Sequence, residues 1–103
     1  MLDAKNEHLK TIKDILALLV PECEVRAFGS RVNGKPKDYS DLDLAVICGN
    51  KDQSKRIPRL KEAFEESDLP FRVDVLDWLK ISDSFKKIIN KNYSVIQKAQ
   101  KPA

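Results

Sequence analysis

Apolar residues recur at helical spacing in some parts of the chain and alternate with polar residues in others, and these patterns predict its elements. The first helix is indicated by apolar residues three or four positions apart, which are Leu9, Ile12, Ile15, Leu16 and Leu19. Pro21 ends this helix. A second helix is predicted over residues 53–67, with Leu60, Ala63 and Phe64 facing inward. A third begins at Ser82, a residue type that caps helix N-termini.

Three strands are predicted between these helices. They cover Cys23–Phe28, Asp41–Cys48 and Phe71–Leu76. The tail after Tyr93 is expected to add a further helical turn. The element order αβαβαβα therefore predicts a single α+β domain over residues 1–103, with a small mixed sheet and helices packed against it.

Composition and charge exclude several classes of protein. Hydrophobic residues make up 42% of the chain and charged residues 34%, which is typical of a globular domain. No apolar run approaches the roughly 20 residues of a membrane helix, and the N-terminus is too charged for a signal peptide. The two cysteines, Cys23 and Cys48, lack metal-binding spacing, so we expect reduced thiols in a cytoplasmic protein. The net charge of +3 permits anionic ligands but does not require nucleic acid.

The stretch AFGSRVNGKPKDYSDLDLAV, residues 27–46, holds the candidate chemistry, and it has two interpretations. The residues from Gly29 to Pro36 nearly match the phosphate loop G-x-x-x-x-G-K-[ST]. However, Pro36 stands where that loop needs a hydroxyl and a backbone N–H, and proline has neither. The acidic residues also begin an apolar strand instead of ending one. We therefore favour the second interpretation, a metal-dependent phosphate site.

Two carboxylates at strand spacing, Asp41 and Asp43, support a metal site. Side chains alternate along a strand, so these two share one face while the apolar residues between and after them fill the opposite face. Carboxylates on one face repel each other unless a cation joins them, and oxygen ligands suit Mg²⁺ or Mn²⁺. Gly29 permits close backbone approach just upstream. If a helix begins at Ser30, its N-terminal amides favour a phosphate.

A third acid, Asp74, interrupts the third predicted strand. Burying an unpaired aspartate is costly, which favours a metal-binding role. The alternative is an edge strand that leaves Asp74 in water. Asp77, at the end of the same strand, is expected to be a helix cap or a surface charge.

Other side chains have less specific interpretations. His8, the only histidine, is expected to be exposed to solvent. Trp78 is expected either in the core, which we favour, or on a surface that contacts a partner. Four lysines near the last predicted helix are interpreted as solvated charges, with an RNA or partner surface as the alternative: Lys80, Lys86, Lys87 and Lys91.

Together these motifs resemble a known family. Gly29-Ser30, ten intervening residues, Asp41-x-Asp43 and the later Asp74 resemble the nucleotidyltransferase superfamily of DNA polymerase beta and kanamycin nucleotidyltransferase. The small size and the run SDLDL resemble its minimal, MNT-type members, which are the catalytic halves of two-protein systems with a helical HEPN protein. The resemblance covers nearly the whole chain.

The resemblance implies roles for the acidic residues. Asp41 and Asp43 would bind two Mg²⁺ or Mn²⁺ ions. Asp74 would bind the catalytic ion and orient or deprotonate the attacking hydroxyl. All three acids are therefore candidate catalytic residues as well as metal ligands.

It also implies a phosphate-binding set. Beside Gly29, Ser30 would hold the β- and γ-phosphates with its amide and hydroxyl. Many relatives carry an arginine at the position filled here by Asn33. In its place, Arg31 or Lys35 is expected to meet the phosphate charge.

The activity implied by the resemblance is transfer of a nucleoside monophosphate, expected to be AMP, from a nucleoside triphosphate to a hydroxyl. No second domain is predicted to hold the acceptor, so a partner chain or an oligomer must do so. By resemblance, the partner is a HEPN toxin and the acceptor a tyrosine on it. The competing hypothesis is a non-catalytic antitoxin that binds nucleotide or metal and acts by contact. The presence of all three acids favours the enzyme.

Overall fold

The computed structural model describes residues 4–29, 32, 41–49 and 55–99. In chain order their elements are α1 (Asn6–Leu19), β1 (Glu24–Phe28), β2 (Leu42–Ile47), α2 (Arg56–Glu65), β3 (Val73–Asp77), a 3₁₀ helix (Trp78–Lys80), α3 (Asp83–Lys91) and β4 (Ser94–Gln97). The predicted α+β class is confirmed. Within these ranges, no helix is both long and apolar enough to cross a membrane.

The four strands form one mixed sheet in the order β3-β2-β1-β4. Strand β1 is antiparallel to both β2 and β4, whereas β2 and β3 are parallel. Parallel neighbours need a crossover connection, and α2 lies within the one that joins β2 to β3. As a result, the starts of β2 and β3 lie at the same end of the sheet as the end of β1.

The segment after Tyr93 forms strand β4, so the prediction of a further helical turn is wrong. Two β-branched residues, Val95 and Ile96, favour a strand, and Ile96 is buried in the main core. The side-chain amide of Gln97 fixes the end of the strand by donating a hydrogen bond to the Val20 carbonyl at 2.8 Å. Tertiary pairing with β1 therefore decides the conformation of this short segment.

The main core lies between one face of the sheet and helices α1 and α2. Its most deeply buried members include Ile12, Leu16, Leu42, Leu44, Val46 and Leu60. Burial of each such side chain contributes about 1.5–3 kcal/mol to stability. The predicted inward positions of Leu60 and Phe64 are confirmed.

The other face of the sheet is covered in part by α3, and we call it the α3 face. A smaller buried cluster there consists of Phe28, Ala45 and Ile89, and Trp78 packs half-buried against it. Ser82 accepts a hydrogen bond from the Phe85 amide at 3.1 Å, so the predicted cap of this helix is confirmed.

Cys23 and Cys48 form a disulfide, and the expectation of reduced thiols is wrong. The register pairs Glu24 with Ile47, and this sets the two flanking cysteines opposite each other with their Cα atoms 4.4 Å apart. The cysteines are 25 residues apart in sequence, and strand pairing brings them together. The bond joins β1 to β2 at the end of the sheet away from Asp43.

His8 is half-buried, so the expectation of solvent exposure is wrong. Its ring meets Phe71 edge to face, with the ring centroids 5.6 Å apart. Phe71 precedes β3 and packs against α1 through His8. The apolar spacing of α1 does not reveal this contact, so it predicted an exposed His8.

Candidate functional site

Strand register places Asp43 beside Asp74. The two residues are paired across the parallel strands β2 and β3. Paired residues of neighbouring strands project to the same face of a sheet, so both carboxylates lie on the α3 face. Both side chains are half-buried. The structure therefore brings two of the three predicted ligands together.

Asp41 lies just before β2 and is exposed. Its negative charge still acts on Asp43, because the pKa of Asp43 is raised above 3.8 by burial first, then by Asp74 and then by Asp41. Within the described ranges, however, no three acidic, histidine or cysteine side chains form a set that could hold a metal. The role of Asp41 as a ligand stays a prediction.

Gly29 brings the backbone after β1 against Asp43. Its φ of +85° lies in the region that favours glycine, and a Cβ there would overlap Oδ2 of Asp43. The amide of Val32 donates a hydrogen bond to the Gly29 carbonyl at 3.0 Å. The other predicted phosphate-binding residues, Ser30, Arg31 and Lys35, lie outside the described residues.

Arg72 forms an ion pair with Asp74 that the sequence interpretation missed. Its Nε lies 3.1 Å from Oδ1 of Asp74, and the arginine side chain is exposed. The available signal was a basic residue two positions before the acid, a spacing that puts both on one face of a strand. An exposed pair of this kind contributes at most about 1 kcal/mol, so a bound cation could compete with it.

Asp74 lies on β3, which is an edge strand among the described strands. The alternative prediction for this segment was an edge strand with Asp74 in water, and its edge position is confirmed. Because Asp74 is half-exposed and paired with Arg72, burial cost does not explain its presence. The observation that supports a metal role is its register with Asp43.

Asp77 caps the 3₁₀ helix that follows β3, as expected. Its carboxylate accepts a hydrogen bond from the Leu79 amide at 3.1 Å. The alternative of a surface charge is wrong, because Asp77 is only 8% exposed. It lies three residues beyond Asp74 and therefore projects to the opposite face of the sheet.

A cavity of about 530 Å³ opens beside Asp74, between α2 and the start of β3. Charged side chains of both signs line it, including Lys61, Glu65 and Arg72, together with Phe71. Of the carboxylate pair only Asp74 lines this cavity, which opens toward the α2 face of the sheet and so adjoins the edge of the candidate site.

The mixed sheet and the carboxylate pair agree with the class of protein that the motifs resemble, a nucleotidyltransferase. Residues 10–101 match the family described as Polymerase beta, Nucleotidyltransferase, and the chain belongs to this family. The resemblance inferred from the motifs is confirmed.

Two proteins similar to this chain carry informative descriptions. The "Probable protein adenylyltransferase MntA" of Haemophilus influenzae is 56% identical over 100 residues, which cover 97% of this chain and 88% of that protein. A solved structure described as "Crystal structure of the toxin-antitoxin with AMP-PNP" superposes with a TM-score of 0.69 at 22% identity. The superposition covers 89% of this chain and 74% of the chain in the solved structure, and it supports the fold.

Proposed function

We propose that this protein is a metal-dependent nucleotidyltransferase that moves AMP from ATP to a hydroxyl on a HEPN-type toxin, and so acts as its antitoxin. The observation that carries the proposal is the carboxylate pair Asp43 and Asp74, with the backbone of Gly29 against it. The similar protein named an adenylyltransferase supports AMP as the transferred group and a protein as the acceptor. The similar structure named a toxin-antitoxin with AMP-PNP supports an ATP-like donor.

The carboxylates suit a divalent cation. Asp43 and Asp74 offer hard oxygen donors on one face, and Asp41 adds a third negative charge nearby. We propose that these residues hold two Mg²⁺ or Mn²⁺ ions. When bound, such ions polarise the α-phosphate and neutralise charge on the attacking and leaving oxygens.

The order of groups across the sheet supports one direction for the proposed reaction. Gly29 follows β1, Asp43 lies on the middle strand β2, and Asp74 lies on the outer strand β3. In-line displacement places the attacking and leaving oxygens on opposite sides of the phosphorus. With the β- and γ-phosphates held by Ser30 beside Gly29, pyrophosphate leaves on the β1 side and the acceptor enters on the β3 side.

In this scheme Asp74 would orient the acceptor hydroxyl and accept its proton. The acceptor oxygen forms a bond to the α-phosphorus while the bond to the bridging oxygen breaks and pyrophosphate departs. The Arg72 ion pair would open at this stage, because the Asp74 oxygen that it contacts is needed by the metal or by the acceptor.

The test is transfer of label from ATP to the purified HEPN partner, followed by mass spectrometry to locate the modified residue. Asp43→Asn should lower the rate roughly a thousandfold, which corresponds to about 4 kcal/mol of lost transition-state stabilisation. Asp14→Asn makes the same chemical change on the outer surface of α1 and should leave the rate unchanged. If Asp43→Asn still neutralises the toxin fully, the non-catalytic antitoxin is the correct function.

A further inference from the structure

Helix α3 exposes two adjacent apolar side chains beside the candidate site. Phe85 and Ile88 are 37% and 64% exposed, and residues three apart are neighbours on a helix surface. The Phe85 ring also packs edge to face on Phe28, with centroids 5.9 Å apart. Phe28 is the register partner of Asp43. A continuous set of contacts therefore links this exposed surface to the carboxylate pair.

The helix lies on the same side of the sheet as the carboxylates. Ile89 of α3 is fully buried and packs with Ala45, which is two residues beyond Asp43 on β2. Since residues two apart in a strand share a face, α3 and Asp43 occupy the same face. A protein that rests on α3 would face the site without crossing the sheet.

The exposed surface of α3 is basic. Lys87 and Lys91 lie one turn apart along one side of Ile88, and both are exposed. The helix holds three lysines against one acid, Asp83, which lies in its first turn. We call Phe85, Lys87, Ile88 and Lys91 the α3 surface. It combines an apolar centre with a positive rim.

Arg26, on strand β1, contacts the side of α3 that faces the sheet. Its guanidinium donates a hydrogen bond to Asn90 Oδ1 at 2.6 Å. The same group lies over the rings of Tyr93 and Trp78, at 4.5 Å and 5.4 Å from their centroids. Of these contacts only the one to Asn90 lies in α3. Together with buried Ile89 it holds the helix on the sheet without using Ile88.

We propose that the α3 surface is the docking site for the acceptor protein, and that this protein presents an apolar patch rimmed by Asp or Glu side chains. The positive rim steers and selects an acidic partner. Two apolar side chains at the centre favour a protein over the phosphate backbone of a nucleic acid. The identity of the occupant as the acceptor rests on the proposed function. Because α3 packs over β1 and β2, the acceptor protein would extend from α3 across the carboxylate pair to bring its hydroxyl to Asp74.

The experiment measures binding of the purified HEPN partner to the full chain by isothermal titration calorimetry. Ile88→Glu puts a like charge against the acidic rim and should raise Kd at least tenfold. Leu18→Glu is the matched control, since Leu18 is 79% exposed on α1, which packs on the opposite face of the sheet. Its Kd should stay within about twofold of wild type. Both variants should melt like the wild type.

A second measurement tests the charge. Lys87→Glu with Lys91→Glu should weaken binding at low salt and flatten the dependence of Kd on salt concentration. An unchanged salt dependence would overturn the positive rim as the recognition feature. Tighter binding of a labelled single-stranded RNA than of the HEPN partner, lost in this double variant, would overturn the proposal in favour of RNA.

The two proposals fail in distinguishable ways. If the wild type labels the partner and Ile88→Glu binds and labels it equally well, the docking surface is wrong and the proposed function stands. If the wild type transfers no label, the proposed function is wrong, and binding of Ile88→Glu decides the docking surface by itself. If Ile88→Glu only converts a dimer of this chain to a monomer, with partner binding unchanged, the occupant is a second copy and the proposal is overturned.

Discussion

The backbone of Gly29 packs directly against the carboxylate of Asp43. The carboxylate of Asp43 occupies the position that a Cβ on residue 29 would need. The contact explains why glycine is needed on geometric grounds alone, before any role in phosphate binding is considered.

Gly29→Ala should therefore damage the protein in two ways. A non-glycine residue with positive φ costs about 1 kcal/mol, and overlap with Asp43 adds to this cost. Gly49→Ala is the matched control, because Gly49 has φ +67° but nothing within 4 Å of its Cβ position. We expect urea denaturation to show Gly29→Ala less stable than Gly49→Ala by about 1 kcal/mol or more, with label transfer lost only in Gly29→Ala. Equal behaviour of the two would contradict the contact.

The raised pKa of Asp43 predicts a dependence of stability on pH in metal-free protein. A carboxyl whose pKa is higher in the folded state stabilises the fold while protonated, and this contribution is lost as pH rises through the folded value. At pH 7 Asp43 therefore carries a penalty that Asp43→Asn removes. Since the side chain is only half-buried and solvent screens its charge, we expect Asp43→Asn to cause a small rise in Tm with EDTA. The gain should shrink as pH falls toward 3.8.

At the scale of elements, pairing between strands decides features that the apolar periodicity of the sequence does not reveal. The three helices and three of the four strands follow from apolar spacing, because each buries one face. β4 was missed because only pairing with β1 makes Val95 and Ile96 a strand. The disulfide of Cys23 and Cys48 was missed for the same reason.

The candidate site was predictable in its residue types and not in its geometry. Asp43 and Asp74 were identified from their strand positions, but their adjacency follows from the parallel register. The Arg72 ion pair and the contact of Gly29 with Asp43 also need three-dimensional neighbours. Sequence patterns therefore specify the chemistry, and the topology of the sheet assembles it.

Arg26 joins three elements on the α3 face and should control how firmly α3 is held. Arg26→Met keeps the apolar stem but removes three kinds of contact: the ion pair with Glu24, the hydrogen bond to Asn90, and the cation–π contacts with Tyr93 and Trp78. We expect a loss of about 1–2 kcal/mol in stability, with faster amide hydrogen exchange in α3 and unchanged exchange in α1. Arg59→Met, at an exposed position of α2, is the control and should change neither. Uniformly faster exchange would mean that Arg26 supports the whole fold instead.

At the scale of the whole molecule, the two faces of the sheet have different roles, one in the core and one in the candidate site. One face builds the main core with α1 and α2, while the other carries Asp43, Asp74 and α3. The disulfide closes the end of the sheet away from the carboxylates. The end that carries the acids holds like charges together in the metal-free protein, so ligand binding there should be visible in global stability.

Thermal denaturation tests this coupling without a partner or a reaction. A ligand that binds only the folded state stabilises it by about 2.7 kcal/mol at a hundredfold excess over Kd. Mn²⁺ alone should raise Tm slightly, because the triphosphate supplies part of the coordination, and Mn²⁺ with a non-hydrolysable ATP analogue should raise it clearly more. The double variant Asp41→Asn with Asp43→Asn should melt higher than wild type in EDTA and lose both responses. If it keeps the synergy, or the wild type lacks it, these acids do not form the metal–nucleotide site.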